Sequence, residues 1–180
     1  MEVIETKIKD LLIIKPKVFA DSRGYFFESY NADVFKQNNI TVNFVQDNQS
    51  LSSTGVLRGL HFQAPPFDQG KLVRVITGAV LDVAVDIRKN SPTYGGHITV
   101  ELTEENKTMF YIPPGFAHGF LTLRDNTIFS YKCTNVYNKL SEGCVLWNDT
   151  DLNINWNVAN PTLSEKDLVG TPFKEFTSPF

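Results

Sequence analysis

The chain carries three histidines, and their surroundings set them apart. His61 lies in Val56-Leu57-Arg58-Gly59-Leu60-His61-Phe62-Gln63. If this run is a strand, its period of two puts Leu57, Gly59, His61 and Gln63 on one face and Arg58 and Leu60 on the other. A glycine inside a strand marks the close approach of a ligand or of another backbone. His61 therefore reads as an imidazole beside a gap, a place suited to general acid/base chemistry near neutral pH. A hydrogen-bonded core histidine fits the same spacing. His118 follows Pro113-Pro114-Gly115-Phe116-Ala117 and precedes Gly119-Phe120, at the mouth of a strand after a rigid turn. That position suits a functional side chain as well as one that ties down a loop. His97 alternates with Thr99 and Glu101, opposite Ile98, Val100 and Leu102. It reads as solvent-facing and receives no role.

A metal centre built on two histidines two residues apart is not expected, because the chain has no His-x-His pair and Gln63 stands two residues after His61. A neutral amide is a poor substitute for an imidazole at a transition-metal centre. Groups suited to an anion are better represented. Arg23 lies in Asp21-Ser22-Arg23-Gly24, Arg58 precedes His61, and Lys71 opens the run Lys71-Leu72-Val73-Arg74. Guanidinium groups donate in parallel pairs and match a pyrophosphate. No Walker or Rossmann glycine fingerprint is present, which removes the common nucleotide-binding folds.

The elements that must position these residues are mostly strands. The clearest segment runs from Leu72 to Arg88 through a Thr77-Gly78 turn. In its second half Ala79, Leu81, Val83, Val85 and Ile87 share one face and Val80, Asp82, Ala84, Asp86 and Arg88 the other, the pattern of a half-buried strand. Further strands are expected over Leu11–Phe19, Tyr25–Ser29, Thr41–Gln46, Gly55–Phe62, Ile98–Leu102, Met109–Ile112, Gly119–Leu123 and Thr127–Thr134. Many short strands separated by turn residues indicate a sandwich, jelly roll or barrel. Two short helices are expected: Ala32–Asn38 behind an Asn31 cap, and one starting at Ser164-Glu165-Lys166-Asp167. After Asn160 the prolines and glycine predict an irregular tail that wraps over the body.

A chain of 180 residues, 42% of them hydrophobic, can bury one sizeable core and reads as a single domain over residues 1–180. Its 17 Lys and Arg against 20 Asp and Glu give a net charge of −3, so no global field would attract a nucleic acid. The first twenty residues are interspersed with charges, and their longest apolar run is Leu11–Ile14. This is neither a signal peptide nor a membrane span. Together with two cysteines, Cys133 and Cys144, expected as reduced thiols, it points to the cytoplasm.

Six motifs recur together and in order: Asp21-Ser22-Arg23-Gly24, Gln46-Asp47-Asn48, Arg58-Gly59-Leu60-His61-Phe62-Gln63, Lys71-Leu72-Val73-Arg74, Pro113 to Phe120, and Leu163-Ser164-Glu165-Lys166-Asp167. In this, roughly from residue 4 to 170, the chain resembles the dTDP-4-dehydrorhamnose 3,5-epimerases. The resemblance implies an all-β, cupin-type jelly roll with a few short helices, a homodimer, and an isomerase that uses no metal or cofactor. The reaction it implies converts dTDP-4-dehydro-6-deoxyglucose to dTDP-4-dehydrorhamnose. By the same resemblance His61 is the general base, Asp167 the carboxylate that orients it, Tyr131 the proton donor on the opposite face of the sugar, and Lys71 the cation beside the developing enolate oxygen. Arg23, Phe26, Glu28, Gln46, Asn48, Arg58, Lys71, His118 and Tyr137 are then expected around the nucleotide and sugar, with Phe19 and Phe26 as stacking partners for the base. The alternatives are an epimerase acting at C3 or C5 alone, a metal-dependent enzyme of the same fold, and a binding protein without turnover. The segment Leu11–Ile14 is a candidate interface strand for the dimer, or packs within its own subunit.

Overall fold

The computed structural model describes all residues 1–180. Its strands are β1 (Glu2–Glu5), β2 (Leu12–Lys15), β3 (Phe19–Asp21), β4 (Gly24–Phe26), β5 (Gln46–Ser52), β6 (Leu57–Gln63), β7 (Lys71–Thr77), β8 (Ala79–Asp86), β9 (His97–Thr103), β10 (Met109–Ile112), β11 (Phe116–Thr122), β12 (Thr127–Cys133) and β13 (Glu142–Cys144). Two short helices, α1 (Ala32–Gln37) and α2 (Glu165–Leu168), complete it. One sheet has the order β1-β2-β10-β7-β12-β5 and the other β13-β6-β11-β8-β9, while β3 and β4 form a separate hairpin. All strand pairings are antiparallel. This is the expected all-β jelly roll.

The inner faces of the two sheets meet in one apolar core that includes Val73, Val75, Phe110 and Phe129 from the first sheet and Val80, Ala84, Leu102 and Phe120 from the second. The outer face of the second sheet is covered by the chain after β13. Leu57, Leu60, Val83, Val85, Ala117 and Leu121 pack there with Leu152 and Trp156, and Phe173, Phe176 and Phe180 close the layer. The tail therefore wraps the body as expected. A third layer, with Phe35 of α1 and Ile40 on Ile14, Leu72, Met109 and Tyr111, covers the outer face of the first sheet.

Five expectations are corrected. Leu11–Phe19 is not one strand: β2 stops at Lys15 before Pro16, and β3 starts at Phe19, because proline cannot continue a ladder. Residues 41–45 are irregular and the strand follows them, from Gln46. The strand β8 is buried on both faces rather than one, because the inner core covers Val80 and Ala84 while the C-terminal layer covers Val83 and Val85. Leu11 and Ile14 are fully buried in their own chain, and β2 pairs with β1 and β10, so Leu11–Ile14 is no free interface strand.

The fifth correction moves the cavity-lining face of β6. His118 of β11 pairs with His61 and Phe120 with Arg58. Three steps along β6 thus match two along β11, so β6 carries one extra residue, a bulge. The extra residue reverses the alternation, and Arg58, His61 and Gln63 line the same cavity while Leu57 and Leu60 face the outer layer. Gly59 sits at the bulge with φ +129°, and a Cβ there would lie 2.5 Å from Gly119 Cα. The gap read in the sequence is the close approach of a neighbouring backbone. Gly59→Ala is expected to lower unfolding free energy by at least about 2 kcal/mol, from positive-φ strain plus a backbone clash. Urea denaturation measures it, and an unchanged midpoint would refute the close-approach reading.

Candidate active site

A cavity of about 490 Å³ opens between the two sheets. Tyr131 of β12, Lys71 of β7 and Gln46 and Asn48 of β5 enter from the first sheet, and Arg58 and His61 of β6 and His118 of β11 from the second. Tyr137, Glu142, Lys166 and Asp167 also line it. His61 and Tyr131 thus stand on strands of opposite walls.

Asp167 comes from the far end of the sequence and is 2% exposed. Its Oδ1 lies 2.7 Å from His61 Nε2 and accepts the Gly59 backbone N–H at 3.1 Å. Its Oδ2 accepts from the Ser164 hydroxyl at 2.6 Å within a capping box at the start of α2. Asp167 therefore both caps α2 and stands against His61, with Oδ2 facing the cap and Oδ1 the imidazole. Burial raises its pKa, but the hydrogen bonds from His61, Ser164 and Gly59 outweigh this and hold it at about 2. His61 thus meets Asp167 through Nε2, and its other ring nitrogen, Nδ1, takes no part in that contact.

His118 forms a second, fully buried pair, its Nε2 lying 3.0 and 2.9 Å from the two oxygens of Asp82. Burial pushes the His118 pKa down, against the pull of Asp82. Lys71 is likewise pulled down by burial, opposed by Cys133, Asp82 and Glu142. Burial pushes the Tyr131 hydroxyl up, which keeps it protonated. Arg58 donates to Ser52 Oγ at 3.2 Å. At the rim the Tyr137 hydroxyl donates to Glu142 at 3.2 Å, Lys166 pairs with the same carboxylate, and the Tyr137 N–H donates to Gln46 Oε1 at 2.9 Å. Gln46 in turn donates to Asn48 Oδ1 at 3.1 Å. Gln63 acts as a clamp: it donates to the carbonyls of Phe67 and Val136 and accepts the Asn138 N–H.

Sequence reasoning missed Asp82, Glu142 and Lys166. Asp82 had a signal, a carboxylate within an otherwise apolar strand, which is costly unless paired. Glu142 and Lys166 carried none. Conversely, Arg23, Phe26 and Glu28 lie outside this cavity within the chain. Arg23 pairs with Asp21 at 2.6 Å on the exposed β3–β4 hairpin, Phe26 is 66% exposed, and Glu28 accepts from Asn31. Phe19, Phe26 and Tyr25 instead line a shallow surface of that hairpin. His97 lies at the start of β9 away from the cavity, half-buried rather than free in solvent.

Fold and site together define an acid/base jelly-roll protein: a carboxylate-held imidazole on one wall, a protonated phenol and an ammonium on the other. The family model for dTDP-4-dehydrorhamnose 3,5-epimerase matches residues 5–175, and the chain belongs to that family. It is 55% identical over 174 residues to the dTDP-4-dehydrorhamnose 3,5-epimerase of Shigella flexneri, covering 96% of both chains. A Legionella pneumophila dTDP-6-deoxy-D-glucose-3,5-epimerase, solved in complex with dTDP-4-keto-L-rhamnose, is 47% identical with a TM-score of 0.93, over 96% of this chain and 93% of that one. A 3'-monoepimerase of Streptomyces bikiniensis, solved with dTDP-quinovose, is 31% identical with a TM-score of 0.89, over 94% and 87%.

The depressed pKa of Asp167 ties stability to pH. A carboxyl whose folded pKa lies below its unfolded value of about 3.8 contributes stability that is complete above that value and is lost as pH falls toward about 2. The unfolding free energy of the wild type is therefore expected to converge on that of Asp167→Asn between pH 4 and 2. Chemical denaturation across that range checks it, and a gap independent of pH would contradict the assigned hydrogen bonds.

Proposed function

We propose that the chain is an isomerase that inverts C3 and C5 of dTDP-4-dehydro-6-deoxyglucose, giving dTDP-4-dehydrorhamnose. The observation that carries this reading is the placement of the His61–Asp167 pair and Tyr131 on opposite walls of one cavity. A proton next to a ketone becomes removable when the charge gathering on the carbonyl oxygen is stabilised, and an ammonium does this best in a water-poor site. His61 takes the proton through its free ring nitrogen, and the C–H electron pair passes into the enolate. Asp167 stabilises the imidazolium that results, and Lys71 lies near the C4 oxygen. Tyr131 delivers a proton to the other face of the same carbon, which inverts it. The sugar then turns so that the same base meets the second proton. No step calls on a metal or cofactor.

Arg58, Gln46, Asn48, His118 and Tyr137 hold the nucleotide and sugar in this scheme. Arg23, Phe26 and Glu28 reach a substrate only if another copy brings them, so the reading includes a homodimer in which the β3–β4 hairpin of one subunit overhangs the cavity of its partner. The exposed aromatic face of that hairpin, with Phe19, Tyr25 and Phe26, supports this, as does the opposition of guanidinium to pyrophosphate. The working place is the cytoplasm, with no nucleic acid or membrane as partner. No helix is long and apolar enough to cross a membrane.

Inversion at both centres is favoured over inversion at one because the relatives named as 3,5-epimerases are the more similar: 55% and 47% against 31% for the 3'-monoepimerase. Incubation with dTDP-4-dehydro-6-deoxyglucose in the presence of a chelator tests the reading. The expected product differs from substrate at C3 and C5, and a product changed at one centre would make the chain a mono-epimerase. His61→Ala is expected to reduce turnover by about 10³-fold or more. Loss of activity on chelation, restored by one metal ion, would refute the side-chain mechanism. Light scattering is expected to report a dimer, and Arg23→Ala to raise KM with little change in stability. A monomer with full activity would remove the hairpin from the site.

A further inference from the structure

The proposed epimerisation leaves one chemically capable group beside the base without a task. Cys144, on β13, stands in register with His61 of β6. It is a free, half-buried thiol, and its sulfur makes only a weak contact with the Val145 carbonyl at 3.6 Å. Donor atoms of Cys144, His61 and Asp167 all lie within 4.8 Å of one another. We propose that these three side chains form an inhibitory site for a borderline-soft divalent ion of the zinc type, which disables the base when it binds.

The donor set is one thiolate, one imidazole and one carboxylate, the mixture that Zn²⁺ accepts in tetrahedral geometry. With zinc–sulfur near 2.3 Å and zinc–nitrogen or –oxygen near 2.0–2.2 Å, neighbouring ligand atoms sit roughly 3.3–3.6 Å apart. The thiol must therefore swing inward by about 1 Å and His61 and Asp167 must part somewhat from their 2.7 Å contact, and nothing stronger than the Val145 contact holds the thiol back. The carboxylate is already fixed from behind by Ser164 and the Gly59 N–H, the kind of support that orients a metal ligand. Three protein ligands leave a fourth position for water or another donor. The local charges are mixed. Lys166 opposes a cation, but it is paired with Glu142, which favours one.

The inhibitory effect follows from the two ring nitrogens. An ion bound at Nε2, in the place now facing Asp167, moves the single proton of the neutral imidazole to Nδ1. The nitrogen that faces substrate then holds a proton instead of a lone pair, and no base remains. The thiol releases its own proton to solvent as the metal–sulfur bond forms, so the exchange is balanced without any oxidant or reductant.

This consequence for turnover rests on His61 being the base, whereas occupancy of the site does not, and the test separates the two. Epimerase turnover is followed while Zn²⁺ is titrated into chelator-stripped wild type, Cys144→Ala and Cys144→Ser, with chelator added back at the end. Wild type is expected to lose activity reversibly, and both variants, fully active without metal, to need about tenfold more Zn²⁺ or beyond. In parallel, Co²⁺ added to each protein reads the site without turnover. A thiolate-to-cobalt charge-transfer absorption is expected in wild type and not in the variants, even if the substrate has been misassigned. Equal zinc sensitivity in wild type and variants, no effect of Zn²⁺ on wild type, or a cobalt band that survives loss of Cys144 would each overturn the proposal.

Discussion

The site depends on one buried carboxylate. Asp167 is placed by a four-residue helix near the end of the chain, yet it is bonded to the backbone at Gly59, more than one hundred residues earlier. A buried, ionised carboxylate is costly unless its lone pairs are filled. The Ser164 hydroxyl and the Gly59 N–H fill them here, and the His61 ring lies against the same carboxylate. Satisfying that one group ties the tail to β6 at Gly59 and His61. The helix cap and the His61–Asp167 pair share one carboxylate.

The jelly roll supplies what a single sheet cannot: two walls. Inversion needs a base and an acid on opposite sides of one carbon, and His61 and Tyr131 belong to different sheets. Between them the lining is largely polar, and several of its charged members are paired. His118 is held by Asp82, and Glu142 by Lys166 and Tyr137. Such pairing costs nothing further in reorganisation when charge develops on the substrate. Burial pushes the Tyr131 hydroxyl up and Lys71 down, so the phenol keeps its proton while the ammonium is held less firmly than in water.

Much of this was legible in the sequence, for reasons that differ by residue. The strands Met109–Ile112 and Thr127–Cys133 emerge nearly intact from short runs bounded by turn residues, and α1 from its Asn31 cap, because both signals are local. The face assignment on β6 failed because a bulge is a pairing property: the residue that reverses the alternation is visible only beside β11. Strand β8 looked half-buried because a tail 70 residues further on covers its other face. The grouping of His61, Lys71, Tyr131 and Asp167 in one cavity was anticipated by the ordered set of motifs, whereas spacing alone left His61 as either a core histidine or a base. Asp82 was passed over as one polar position in an alternating strand. Glu142 and Lys166 could not be placed without the fold, because their meeting at the cavity mouth joins β13 to α2.

The most direct test of the two-wall account is to follow deuterium from solvent into C3 and C5 of dTDP-4-dehydro-6-deoxyglucose by NMR with Tyr131→Phe. The account predicts that the His61 side still exchanges protons while inversion is largely lost, because removal and return then share one face. Inversion at the wild-type rate without the phenol, or loss of all exchange with it, would contradict a base and an acid acting from opposite sheets.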